Sequence, residues 1–357
     1  MKRVAPFALA LVGLAAFAQT TQRIRGTIVR LDGDVLTVKS REGKEVQVQL
    51  AKDAQVAVAK STTLAEIKPG TYVGSAAMKR PDGTLVAKEV HTIPPQVPAK
   101  EGVANLSGVK IGYWDTEGAG TPIVLVHPAT GSAKIWVYQQ PAFARAGYRV
   151  IAFSRRGYAN SDPVPRENAG SASADLHNLV EFLRLRKFHI VGSAAGGQIS
   201  IDYALSHPDR LYSLTLACAV GGVTDKEYTE MAERIRPPGY ADMPAEFREL
   251  SPSYRAMNPE GTKRWAELEH GAITGNRIGQ TNVNQINFAS LGRLKVPTLV
   301  IGGDSDLGAP PPMLRMYASK IPGAELKIVA EGGHSLYWEQ PELFNRTLLE
   351  FFGRHST

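Results

Sequence analysis

The sequence contains very little cysteine, since Cys218 is the only one among 357 residues. An intramolecular disulfide is therefore impossible, and the fold has to be stabilised by packing. The eight histidines lack the spacing of metal ligands, and no glycine-rich phosphate-binding pattern occurs. We therefore predict no metal and no cofactor.

A dominant charge is also missing from the sequence. The formal net charge is +7, and the basic residues are scattered among acidic ones instead of forming a stripe. That pattern excludes nucleic acid as an expected partner. The composition, 43% hydrophobic and 21% charged, is typical of a soluble globular protein.

Long hydrophobic runs are absent except near the N-terminus. Lys2 and Arg3 precede a short apolar run, which ends at Ala16-Phe17-Ala18. This is the layout of a bacterial Sec-type signal peptide, and the run is shorter than the roughly 20 residues of a membrane span. We predict that residues 1–18 are a signal peptide, that no membrane span remains after cleavage, and that the protein is periplasmic or secreted.

Residues 19–94 alternate apolar and polar positions in short runs that turn residues separate. Such a pattern predicts hairpins and a small all-β, barrel-like domain. The segment resembles a small β domain of unknown function in exported bacterial proteins, and four stretches carry the likeness: Arg25-Gly26-Thr27, Asp32-Gly33-Asp34, Ile67 to Val73 and Glu89-Val90-His91.

A proline-rich segment follows this domain. Pro95 and Pro98 cannot donate hydrogen bonds to a strand ladder, so residues 95–107 are predicted to be a stiff linker. The second domain is then expected to span residues 108–357.

The second domain contains six apolar runs, and helical patterns separate them. The runs are Pro122 to Val126, Val150 to Phe153, His189 to Val191, Leu211 to Leu216, Pro297 to Ile301 and Leu326 to Val329. This alternation predicts an α/β domain, a doubly wound and mostly parallel sheet with helices on both faces.

Four motifs in this domain occur in the order typical of one superfamily. They are Leu125 to Ala129, Arg155 to Asp162, Val191 to Gly197, and the pair Gly303 to Asp306 with Gly332-Gly333-His334. The domain therefore resembles the alpha/beta-hydrolase superfamily, which implies that fold and a hydrolase site of the Ser-Asp-His type.

The resemblance implies a role for each site residue. Asp306 corresponds to the acid that orients the histidine, and His334 to the general base. The backbone N–H groups of Ala129 and Ala195 correspond to the oxyanion hole. The nucleophile position is Ala194, whose methyl group can neither attack a carbonyl nor donate a proton.

Three hypotheses follow from Ala194. The leading one is an esterase-like or amidase-like hydrolase frame that binds a small carboxylic ester or amide and turns it over feebly. The second is a lyase-like enzyme that uses His334 and Asp306 as a base dyad without a covalent step. The third is a non-catalytic ligand-binding or sensing protein.

An insertion at about residues 222–290 is expected to cap the site. Its aromatic and methionine side chains favour a small-molecule substrate with an apolar or aromatic group. These side chains are Tyr228, Met231, Tyr240, Met243, Phe247, Tyr254, Met257 and Trp265. The sequence leaves the oligomeric state open.

Overall fold

A computed structural model describes residues 21–40, 43–57, 72–79, 85–92, 97–219, 221–275 and 279–356 of the chain. The predicted signal peptide lies outside these ranges. The chain divides into two compact units, residues 1–94 and residues 95–357.

In the part of the first unit that the structure describes, five strands pair in a closed ring, in the order β1-β2-β3-β5-β4. Their bounds are β1 Thr21–Asp32, β2 Val35–Ser40, β3 Glu45–Ala57, β4 Tyr72–Lys79 and β5 Leu85–Thr92. All neighbouring pairs are antiparallel except β3 with β5. Alternate apolar residues are buried, including Ile24, Ile28, Leu36, Val38 and Val48, as the two-residue period of strands requires.

The second unit contains an eight-stranded sheet, in the order β13-β12-β11-β10-β8-β9-β7-β6. The bounds are β6 Lys100–Leu106, β7 Val109–Asp115, β8 Pro122–Val126, β9 Arg149–Phe153, β10 Phe188–Ser193, β11 Leu211–Ala217, β12 Thr298–Gly303 and β13 Glu325–Val329. The strands from β8 to β13 are parallel to one another, whereas β7 pairs antiparallel with both β9 and β6. The predicted mostly parallel sheet is confirmed.

Eleven α-helices connect the strands in the described part of this unit. They are α1 Gln139–Arg145, α2 Ala172–Phe182, α3 Ala195–Ser206, α4 Lys226–Ile235, α5 Ala245–Glu249, α6 Pro252–Met257, α7 Pro259–His270, α8 Phe288–Leu291, α9 Pro311–Ala318, α10 Leu336–Glu339 and α11 Pro341–Arg354. None of them is long and apolar enough to cross a membrane.

Both faces of the sheet are covered, because its strands alternate their apolar side chains between two cores. On β8, Val124 packs in one core with residues of α2, α3 and α9. Its neighbour Leu125 packs in the other core with residues of α1 and α11. This arrangement confirms the predicted doubly wound domain.

The structure corrects the predicted linker at residues 95–107. Lys100–Leu106 forms β6, which pairs with β7 along its whole length. Ala104 is fully buried in the core of the second unit, and Leu106 is buried beside it. The prolines that suggested a linker end at Pro98, so they do not interrupt the ladder.

The predicted cap, at about residues 222–290, falls between β11 and β12. Helices α4 to α8 lie in this part of the chain. The insertion therefore follows the carboxyl end of β11 and precedes β12, its parallel neighbour in the sheet. Ligands bind at the carboxyl ends of the strands in folds of this kind.

Candidate active site

Ala194 occupies a sharp turn between β10 and α3. Its backbone has φ 49° and ψ −114°, a conformation that residues with a side chain rarely adopt. Holding a residue other than glycine there costs about 1–3 kcal/mol. Ala194 therefore lies in a strained elbow between strand and helix, at the position where the sequence predicts a nucleophile.

The glycines around Ala194 are required by close backbone approach. A Cβ atom on Gly196 would lie 2.1 Å from the carbonyl oxygen of Val126, and one on Gly192 would lie 2.4 Å from the carbonyl oxygen of Gly196. These distances are far shorter than a van der Waals contact. The glycines therefore let α3 begin directly against β8 and β10.

Asp306 and His334 meet beyond the carboxyl ends of β12 and β13. The His334 Nδ1 lies 2.8 Å from Oδ1 and 2.9 Å from Oδ2 of Asp306. The carboxylate also accepts hydrogen bonds from the backbone N–H groups of Gly308 and Ala309, at 2.7 and 2.8 Å. Its neighbour Asp304 instead accepts from the Glu331 N–H. The structure therefore assigns the histidine contact to Asp306.

Several carboxylates act on the buried imidazole of His334. Burial alone would lower its pKa, but the negative charges of Asp306, Glu249 and Glu339 outweigh burial and raise the pKa to about 9. Glu249, at the end of α5, is itself buried, and burial raises its pKa. The Ser335 hydroxyl donates to Glu249, and the Ser335 backbone N–H donates to the Glu249 carbonyl oxygen.

Ala129 and Ala195, whose N–H groups are predicted from the sequence to form the oxyanion hole, both line one cavity. Neither donates a hydrogen bond to another described residue. The carbonyl oxygen of Pro128, in the same peptide as the Ala129 N–H, contacts His127 Nδ1 at 2.7 Å and accepts from Arg155 Nη2 at 3.2 Å. Because a trans peptide directs C=O and N–H oppositely, these contacts orient the Ala129 donor.

Two nucleophilic side chains, Ser193 and Cys218, lie close to Ala194 in the chain or across the sheet, and neither is placed as a reactive nucleophile. Ser193 is fully buried, and its hydroxyl has no hydrogen-bond partner among the described residues. Cys218 is also buried, its thiol donates to the Gly333 carbonyl oxygen at 3.5 Å, and burial raises its pKa. The thiolate needed for attack is therefore disfavoured.

The cavity beside the elbow has a volume of about 260 Å³ and a partly polar wall. The polar residues of its wall are Arg155, Arg156, Tyr158, Gln198, Gln280 and Asn282, and Ala129, Ala195 and five other small or apolar residues complete it. None of the eight apolar cap residues predicted to form the pocket contributes to this wall. That prediction was wrong for this cavity, because Tyr228 and Trp265 are buried in the two cores and Phe247 and Met257 are exposed.

Tyr240, one of the predicted cap residues, approaches the histidine. A Cβ atom built on Gly308 would lie 2.8 Å from His334 Cε1 and 2.9 Å from the Tyr240 hydroxyl, so both flank this glycine. Burial, together with the charges of Glu249 and Asp306, raises the pKa of Tyr240 to about 12. The phenol is therefore a neutral donor beside the imidazole.

Sequence reasoning missed the contributions of Arg155 and Glu249. Arg155 belongs to a motif that was used only to recognise the fold, and its contact with Pro128 requires two loops to meet. Glu249 lies in a short cap helix, and a glutamate is normally exposed to solvent. No sequence pattern marks either residue as part of the site.

Comparison with known proteins identifies the family to which this fold belongs. Residues 121–341 match the alpha/beta hydrolase fold family. A 2-hydroxy-6-oxononadienedioate/2-hydroxy-6-oxononatrienedioate hydrolase of Cupriavidus pinatubonensis is 30% identical over 274 residues, which cover 67% of this chain and 89% of that protein.

Two solved structures have a similar fold. A bromoperoxidase from Bacillus anthracis has a TM-score of 0.59 and 25% identity, over 71% of this chain and 100% of that chain. A thermophilic esterase from Thermogutta terrifontis has a TM-score of 0.62 and 24% identity, over 72% of this chain and 100% of that chain. The family match covers more than half of the chain, and the strand order, elbow and His334–Asp306 pair agree with it; the chain belongs to the alpha/beta hydrolase fold family and is by family a hydrolase.

Proposed function

We propose that this chain carries the binding site and catalytic frame of a small carboxylic ester or amide hydrolase that lacks its nucleophilic oxygen. The observation that carries the proposal is Ala194 in its strained elbow. An alanine gains nothing from a conformation that costs about 1–3 kcal/mol. A residue whose side chain must project into a reaction site does gain from it.

The surrounding groups fit the steps of acyl transfer with a serine at position 194. The serine oxygen would bond to the substrate carbonyl carbon while His334 Nε2 takes its proton, and Asp306 would stabilise the resulting imidazolium. The N–H groups of Ala129 and Ala195 would stabilise the oxyanion. The histidine would then protonate the leaving group, and water would release the acid from the acyl-enzyme.

With Ala194 in place, the first of these bonds cannot form. Substrate binding and the two oxyanion donors are independent of that oxygen, so we expect binding with feeble turnover. In a comparable triad enzyme these remaining contributions retain roughly 10³- to 10⁴-fold acceleration over water. The hydrolase and esterase names of the relatives support this type of reaction.

The test is Ala194→Ser, assayed on short-chain and aromatic p-nitrophenyl esters against the parent chain. We expect turnover to rise by several orders of magnitude, because loss of a triad serine costs on the order of 10⁶-fold. Adding His334→Ala should abolish the gain. Unchanged ligand binding with no gain in hydrolysis would instead favour a ligand-binding or sensing protein.

A second candidate function rests on the intact pairing of His334 with Asp306. A pure binding protein has no need of a base that a buried carboxylate orients, whereas a lyase-like enzyme uses such a dyad directly. The effect of His334→Ala on the activity of the parent chain distinguishes the two proposals. If His334→Ala in the parent removes a native activity, the dyad is the catalyst; if the parent is unaffected, the hydrolase proposal stands.

A further inference from the structure

Arg155 is a cation with only neutral partners. Its Nε and Nη2 atoms donate to His127 Nε2 and the Pro128 carbonyl oxygen, at 3.4 and 3.2 Å. The guanidinium carbon lies 4.7 Å from the centre of the Tyr158 ring. No carboxylate of the described residues lies within 4 Å of this side chain, and burial lowers its pKa.

The neighbouring Arg156 shows the usual solution for such a charge. Its Nε and Nη2 atoms both donate to the buried carboxylate of Asp175, at 2.7 and 2.5 Å. A half-buried cation without an anion is destabilising, since its charge has lost part of its water and gained no counter-charge. Of two consecutive arginines, one is therefore neutralised within the protein and the other is left to be neutralised from outside.

The position of Arg155 shows where that anion would bind. The arginine lines the same cavity of about 260 Å³ as Ala129 and Ala195. Its guanidinium has five N–H donors, and its hydrogen bonds with His127, Pro128 and Tyr158 leave others for a ligand. The cavity thus brings Arg155 together with Ala129 and Ala195, whose N–H groups are assigned to the oxyanion.

Apart from Arg156, which pairs with Asp175, the rest of the polar wall adds neutral hydrogen-bonding groups and no acid. Gln198 and Asn282 are hydrogen-bonded to each other at 3.2 Å, and both line the cavity. Gln280, also in the wall, donates to Asp175 and so lies beside the Arg156–Asp175 ion pair. These amides can contact a polar substrate without adding charge.

We propose that this cavity is a subsite for an organic carboxylate, so that the substrate is an ester or amide whose acyl or alcohol part carries a negative charge bound by Arg155. The inference rests on the proposed function for the position of the scissile bond. A carboxylate suits the planar guanidinium, which can hold it through two parallel N–H donors. The cap side chains, which suggested an apolar substrate, do not line this cavity.

The test compares two ligands that differ in one charge, monomethyl succinate and dimethyl succinate. Because Ala194 cannot form an acyl-enzyme, both can be titrated calorimetrically against the parent chain without being consumed. We expect the anionic ester to bind roughly tenfold to a hundredfold more tightly, the range for a hydrogen bond to a charged group. Equal affinity for the two esters in the parent would overturn the proposal.

Variants assign the preference to Arg155. Arg155→Gln should remove it and Arg155→Lys should keep part of it, whereas Arg346→Gln, at an exposed arginine outside the cavity wall, should leave it unchanged. A misplaced Pro128 peptide would weaken both esters alike, so the ratio of the two affinities reports charge recognition alone. A ratio that Arg155→Gln leaves unaltered would overturn the proposal.

The two proposals fail separately. Hydrolysis of dimethyl succinate by the Ala194→Ser variant, with no preference for the anionic ester, would overturn the carboxylate subsite and leave the hydrolase intact. A charge preference in the parent, with no hydrolysis of either ester by Ala194→Ser, would support the subsite and contradict the hydrolase.

Discussion

Asp202 and Asn284 are joined by three hydrogen bonds. The Asn284 backbone N–H and its Nδ2 both donate to Asp202 Oδ1 at 2.8 Å, and Nδ2 also donates to the Asp202 carbonyl oxygen at 3.1 Å. The Val283 N–H donates to the other carboxylate oxygen at 2.9 Å. One buried carboxylate on α3 therefore fastens the segment that carries Gln280 and Asn282 into the cavity wall.

Asp202→Ala should release this segment. Backbone donors left without their charged acceptor become unsatisfied or exposed, so the free energy of unfolding should fall by roughly 2–5 kcal/mol. Affinity for the cavity ligand should fall as well. Urea unfolding and calorimetric titration measure the two effects, and Asp202→Asn, which keeps one acceptor oxygen, should lose less of both. If the Asp202→Ala variant is destabilised but its ligand affinity is unchanged, the segment does not contribute to ligand binding.

The pH dependence of the Ala194→Ser variant should follow the raised pKa of His334. A general base works only when Nε2 is unprotonated, and a pKa of about 9 makes that form a minority at neutral pH. Below that pKa, turnover should rise about tenfold for each unit of pH and level off near pH 9. The parent chain, measured under the same conditions, corrects for alkaline hydrolysis of the ester. A profile already level at pH 7 would contradict this electrostatic picture.

Glu249→Gln tests one cause of that raised pKa. Removing a buried carboxyl that faces His334 takes away a charge that favours the imidazolium. In the Ala194→Ser background the rising limb of the profile should therefore move toward lower pH, by up to about one unit. Asp306 and Glu339 also face the imidazole and remain in place, so the profile should move without disappearing. A rate that falls equally at every pH would indicate a structural role for Glu249 alone.

The strands and the elbow could be read from the sequence because local signals determine them. Continuous apolar runs mark β8 to β13, and glycines mark the turn around Ala194. The role of the polar segment that carries Gln280, Asn282 and Asn284 could not be predicted from the sequence. Its partner Asp202 lies about eighty residues earlier in the chain, on α3. The lack of a carboxylate partner for Arg155 could not be predicted for the same reason. Only the fold shows that Asp175 pairs with Arg156 and not with Arg155.

Gly196→Ala should destabilise the domain. The added Cβ would lie 2.1 Å from the Val126 carbonyl oxygen, so α3 would have to move away from β8. We expect a loss of about 1–3 kcal/mol in the free energy of unfolding, as for other overpacked sites. Gly353→Ala, in α11 with no atom within 4 Å of the new Cβ, is the matched control and should stabilise by about 0.5–1 kcal/mol. Equal effects of the two substitutions on urea unfolding would show that the elbow tolerates the side chain.

The corrected boundary of the second unit predicts how two fragments will behave. A fragment of residues 95–357 keeps β6, which pairs with β7 from Lys100 to Leu106. It should fold and bind the cavity ligand as the full chain does, since few contacts are expected to cross a domain boundary.

A fragment of residues 108–357, cut at the boundary that the prolines suggested, should be less stable. It loses the buried side chains of Ala104 and Leu106, and it leaves the hydrogen-bonding edge of β7 unpaired, which invites aggregation. Thermal unfolding and size-exclusion chromatography of both fragments compare them directly. If residues 108–357 alone match the longer fragment in melting temperature and remain monodisperse, then β6 contributes nothing to the hydrolase core and the linker prediction was sound after all.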